Sequence, residues 1–167
     1  IKKYYKKTTL LKEVNSNSGF KRVWNQMKGN IECVVVNSHA TPLWLDDMID
    51  YRNIRFLMKR NVKRLILLGC NAGHLDHLNT NIACHFRKKI NGPVIASDGT
   101  VYSRSKNQAV ENSKFQSKAD NIWKKWTINK NGYGFRNKNN GWIKYSSTIN
   151  IVYKKLYSAT IKQLCKI

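Results

Sequence analysis

Leu65-Ile-Leu-Leu-Gly-Cys-Asn-Ala-Gly73 is an apolar block that stops at a glycine and places a thiol one residue later. Four consecutive apolar residues between turn signals suit a strand covered on both faces, the kind found inside parallel sheets. Working outward, two further blocks of this type appear. IECVVVNSHA (31–40) contains the run Val34-Val-Val36, and GPVIASDGTVY (92–102) contains Val94-Ile-Ala96 after a Gly-Pro turn signal. Helix-like segments lie between them. Strand, helix, strand, helix, strand at these spacings predicts right-handed βαβ crossovers and a mostly parallel sheet flanked by helices.

Ser18 is the expected N-cap of a first helix, in which Phe20, Val23, Trp24 and Met27 recur at helical spacing and Gly29 marks the stop. A first extended segment is expected over 4–14. DDMIDYRNIRFLMKRN (46–61) begins acidic and ends basic, matching a helix dipole, with Asp46-Asp47 as its first turn. Its apolar residues occupy two faces: Leu45, Met48, Ile49 and Phe56 on one, Tyr51, Ile54, Leu57 and Met58 on the other. That pattern predicts a helix covered on both sides or broken near Asn53. LNTNIACHFRKKIN (78–91) predicts another amphipathic helix, with Leu78, Ile82, Phe86 and Ile90 at steps of four. Beyond 103 the chain is polar. Turn signals at Asn131-Gly132 and Asn140-Gly141 predict a β-hairpin extension over 123–146, antiparallel and small, and a C-terminal helix follows over 149–164. No linker or repeat divides the chain, so 1–167 reads as one domain with a core over 31–103.

The chain carries 31 Lys and Arg against 9 Asp and Glu, a net charge of +22. Residues 1–102 hold 17 basic and 7 acidic side chains, and residues 103–167 hold 14 and 2. Such a field attracts polyanions: nucleic acid, phosphoinositides, an anionic membrane surface or an acidic protein. An AT-biased composition rich in Lys, Asn and Ile produces the same excess on solvated faces. No stretch is apolar enough for a transmembrane segment. The opening IKKYYKK has neither an initiator Met nor an apolar h-region, as expected of a piece of a longer protein. Cys33, Cys70, Cys84 and Cys165 are widely spaced without a C-x-x-C, which argues against a disulfide scaffold. Cys33 and Cys165 read as small buried hydrophobes.

Chemistry concentrates at two strand ends. In a parallel sheet, ligands gather outside the carboxyl ends of the strands. One strand ends in Asn37-Ser38-His39 and the next in Gly69-Cys70. Parallel neighbours one crossover apart bring His39 and Cys70 to one edge, where an imidazole can convert a thiol to a nucleophilic thiolate. The glycines at 69 and 73 permit a sharp turn and close approach of a substrate backbone. The Cys70 N–H, with one from the His39 loop, can form an oxyanion hole.

VVVNSHA and LILLGCNAG resemble the histidine and cysteine blocks of the caspase-like (clan CD) cysteine peptidases. GPVIASDGTVY is similar to the strand that follows in caspase-like domains at the ends of bacterial Rhs-type and other polymorphic toxins, and GWIKYS to their Trp-bearing tail. The resemblance implies an α/β caspase-like fold and a cysteine endopeptidase. Cys70 is then the nucleophile, His39 the general base and acid, and the Ala40 and Cys70 N–H groups the oxyanion donors. It also implies an effector or self-processing domain of a secreted toxin, delivered into a target cell and acting in a reducing cytoplasm on a protein or peptide. It needs no cofactor, permits inositol hexakisphosphate as an activator, and brings an acidic immunity protein into view as a partner. The family usually has Gly after the histidine, where this chain has Ala40. Asp98, near the end of the strand after the cysteine, either attracts a substrate Lys or Arg or makes a turn with Gly99.

Two other readings stay open. Cys70, His74 and His77, with Cys84-His85, carry metal-ligand chemistry, but C-x3-H-x2-H matches no common structural zinc pattern, and no metal is expected. Trp123, Trp126, Tyr133, Phe135 and Trp142, interleaved with cations, suit a basic nucleic-acid-binding or nuclease-type toxin domain, or alternatively the core of the C-terminal extension.

Overall fold

The computed structural model describes residues 13–104, 125–128, 141–146, 151–154, 158–159, 161–164 and 166. In chain order these form α1 (Asn17–Gln26), β1 (Val34–Asn37), β2 (Trp44–Leu45), β3 (Ile49–Asp50), β4 (Leu65–Leu68), α2 (Ile82–Arg87), β5 (Val94–Asp98) and β6 (Val101–Arg104). There follow β7 (Lys125–Ile128), β8 (Gly141–Tyr145), β9 (Ile151–Lys154), β10 (Ser158–Ala159) and α3 (Ile161–Leu164). The expected extended segment over 4–14 lies almost entirely outside the described residues.

The three apolar blocks become β1, β4 and β5, adjacent and parallel, in a mixed α/β architecture. Val34 pairs with Leu65 and Asn37 with Leu68, so β1 and β4 end level with one another. Antiparallel β8 and then β9 complete a sheet of order β1-β4-β5-β8-β9. All four residues of β4 are buried, and successive side chains alternate between two cores. Leu65 and Leu67 join Phe20, Trp24, Ile82 and Phe86, so α1 and α2 cover the same face. Ile66 and Leu68 join Ile95, Trp142 and Leu164, which places α3 over the other. The ring centroids of Trp24 and Phe86 are 5.3 Å apart, locking α1 against α2.

Several local expectations are corrected. The first helix is capped by Ser16, not Ser18, because it is the Ser16 side chain that accepts the Gly19 N–H. The 46–61 helix does not form. Leu45 and Ile49 instead pair across a short hairpin whose turn holds exposed Asp46-Asp47, with Asp46 at φ 42°. Asp50 then accepts the Arg52 and Asn53 N–H groups, starting a 3-10 turn over Asn53–Phe56. A carboxylate that caps locally competes with a continuous helix, and the two-faced apolar pattern is satisfied by a reversal of the chain. The 78–91 helix shortens to Ile82–Arg87, since Asn81 caps it by accepting the Cys84 N–H.

The 123–146 hairpin is also corrected: its two strands form but pair elsewhere. Lys125–Ile128 lies between β6 and β10, and Gly141–Tyr145 fills the open edge of β5. The helix over 149–164 shortens to Ile161–Leu164, and Ile151–Lys154 is a strand. Branched Ile151 and Val152 and aromatic Tyr153 favour extended backbone once the β8 edge is available to pair. No described helix is long and apolar enough to cross a membrane.

Candidate active site at the carboxyl edge of the sheet

The level ends of β1 and β4 send two loops out of the same edge, one carrying His39 and the other Cys70. Gly69 is where they touch. A Cβ on Gly69 would lie 2.5 Å from the Ala40 Cβ and 2.9 Å from the Ser38 carbonyl oxygen. Only hydrogen fits there, so the glycine before the cysteine admits the histidine loop. Ala40 is fixed in turn by its bridge to Leu45 in the hairpin, and the Thr41 N–H donates to the Trp44 carbonyl. His39 is exposed and Cys70 half-buried.

The cysteine loop is held on nearly every side. Asn71 N–H donates to Gly99 O, Gly73 N–H to Ser97 O and His74 N–H to Asn71 O. The Ser97 hydroxyl donates to Gly69 O. Buried Tyr145 donates its hydroxyl to Gly73 O at 2.7 Å and accepts from Asn81 Nδ2 at 2.9 Å, and the same amide reaches His74 O at 3.2 Å. Asn71 sits at φ 56°, a left-handed conformation that Asn adopts more readily than most residues. One donor is conspicuous by contrast: among the described residues no acceptor takes the Cys70 N–H. Cys70 Sγ lies 3.4 Å from Val101 N, which donates to it, and 3.6 Å from Val101 O.

Asp98 is fully buried at the end of β5. Its Oδ1 accepts the Leu75 N–H at 3.2 Å and lies 3.9 Å from His74 Nδ1, so its carboxylate steadies the segment after Cys70. His74 is buried and starts the 3-10 turn Leu75–His77, its Nδ1 accepting the Asp76 N–H. Cys84 lies behind this segment. Its thiol donates to Leu78 O, and burial, opposed only in part by Lys88, pushes its pKa up to about 11. Among the described residues no group of three His, Cys, Asp or Glu side chains converges to hold a metal ion. Cys33 is half-buried against Ile66, Leu68 and their neighbours, and Cys165 lies outside the described residues.

Of the aromatics that suit base stacking, Trp142 is fully enclosed in the sheet core. Trp123, Tyr133 and Phe135 lie outside the described residues, as does the Trp126 side chain. Sequence reasoning missed Ser97, Asn81 and Tyr145. Their roles depend on loops meeting across the sheet, and only Asn81 leaves a local signal, as the N-cap of α2.

No protein-family model, no curated protein and no solved structure matches the chain.

Proposed function

We propose that this chain is a caspase-like cysteine endopeptidase domain with a Cys70–His39 dyad, the effector or self-processing part of a secreted bacterial toxin that acts in the reducing cytoplasm of a target cell. The observation that carries the proposal is the meeting of the two strand-end loops at Gly69 and Ala40. In the proposed reaction His39 takes the Cys70 proton and the thiolate attacks the scissile carbonyl carbon. The oxyanion is received by the Cys70 N–H, which no acceptor among the described residues takes, and by the Ala40 N–H. Collapse expels the amine with the proton carried by His39, and water then hydrolyses the acyl-enzyme. Asp98, being enclosed, acts on a basic substrate side chain only if the Leu75 segment yields. Inositol hexakisphosphate as activator and an acidic immunity protein as partner remain part of the proposal, resting on the resemblance and the net charge of +22.

The test compares the chain with its Cys70→Ala and His39→Ala variants for toxicity and for cleavage of a peptide library. Cleavage by the unmodified chain alone is expected. Equal activity in all three would sink the dyad, and salt-sensitive nucleic-acid binding or cutting that survives both substitutions would favour the nucleic-acid reading.

A further inference from the structure

The opposite edge of the sheet carries a second feature. Arg60 bridges to Ile90, and the Arg60 N–H donates to Lys89 O, just ahead of the amino ends of β4 and β5. Around this corner Phe56 is 53% and Met58 55% exposed, two of the four large apolar side chains that the described residues leave to solvent. Cations crowd them. The Arg55 guanidinium lies 4.6 Å and the Lys21 ammonium 5.7 Å from the Phe56 ring centroid. Lys89 donates to the Arg55 carbonyl, and its pKa is lowered by burial and, second, by Lys59. The ion pairs of the described residues use other cations, so no described carboxylate offsets Lys21, Arg55, Lys59 or Lys89.

We infer that this corner is a docking surface for an acidic protein segment that carries an apolar side chain. Like charges gathered without carboxylates repel one another, and an anionic partner relieves that repulsion. Phe, Met and Arg are the residue types enriched at protein interfaces, and a thioether adapts to an irregular partner. A nucleic-acid strand fits less well. Base stacking needs an open ring face, the Phe56 ring already holds two cations, and Met58 has no ring to offer. The surface lies at the edge away from Cys70, so a partner seated there leaves the carboxyl-edge cleft open.

The test measures fluorescence anisotropy of the full chain with three probes at physiological salt. They are a short Glu-rich peptide with a central Leu-Phe, a peptide of equal length and charge with Ser-Ser in that place, and oligothymidine. The Leu-Phe peptide is expected to bind about fivefold or more tightly than its Ser-Ser counterpart. Phe56→Ser removes that difference, Arg55→Glu weakens both peptides, and neither change lowers Tm appreciably, because both side chains are exposed. Met58→Ser supplies an independent variant should Phe56→Ser disturb the fold. Equal binding of the two peptides, no peptide binding, or indifference to both apolar substitutions overturns the inference. So does a Phe56→Ser effect confined to oligothymidine, which would make the corner a nucleic-acid surface.

Discussion

Gly69→Ala tests the contact on which the carboxyl-edge site depends. The added methyl would meet the Ala40 Cβ at 2.5 Å, against the roughly 3.5–4.0 Å at which carbon atoms rest. It would also meet the Ser38 carbonyl oxygen at 2.9 Å, a backbone atom that cannot rotate away. The histidine loop must therefore retreat by about 1 Å, at an overpacking cost of about 1–3 kcal/mol. For a domain of this size Tm falls by roughly 3–10 °C. If the dyad acts as proposed, a displacement of that size lowers kcat/KM for peptide cleavage by about 100-fold. Adding Ala40→Gly removes the closest clash and leaves the one with Ser38. The double variant, unfolded in urea beside each single variant, should show a favourable coupling of about 1 kcal/mol. Additive losses would refute the reasoning, because they would mean that positions 69 and 40 do not touch. Gly69→Ala with unchanged stability would refute it too.

Two further outcomes are expected. Tyr145→Phe leaves the buried Gly73 carbonyl without its hydroxyl donor, which costs about 1–3 kcal/mol. Hydrogen exchange should show the amides of residues 71–75 opening more often than in the unmodified chain, and unchanged exchange would mean that Tyr145 does not hold the loop. The raised pKa of Cys84 means that the folded chain holds that thiol proton more tightly than the unfolded chain. Its contribution is therefore fully present below the unfolded pKa of 9.0 and is lost as pH rises towards about 11. The stability difference between the unmodified chain and Cys84→Ala, followed by denaturant unfolding, should narrow over that interval; a pH-independent difference would contradict the assignment.

The three central strands are legible in the chain because each is a run of apolar residues bounded by turn signals. A strand buried on both faces has little other way to be written. Their order along the chain also places His39 and Cys70 at one edge, since short crossovers make parallel neighbours. The 46–61 segment was less legible. Acids before bases describe a helix dipole as well as they describe a hairpin turn followed by an Asx cap, and the choice falls to Asp50 and the Leu45–Ile49 pair.

Pairings made across long separations were illegible. Nothing in Gly141–Tyr145 announces that it will fill the edge of β5 rather than pair with Lys125–Ile128, because either partner satisfies the same backbone donors and acceptors. The same holds for Gly69. A glycine before a cysteine looks like turn chemistry, yet its Cβ position is already occupied by Ala40 from another loop. The sequence by itself determined the buried strands and the edge from which His39 and Cys70 emerge, through local hydrophobic pattern and short connections. Only the tertiary structure decided which strands close the sheet and how near the two loops come. Those depend on which atoms exclude one another across the fold, and spacing along the chain does not record that.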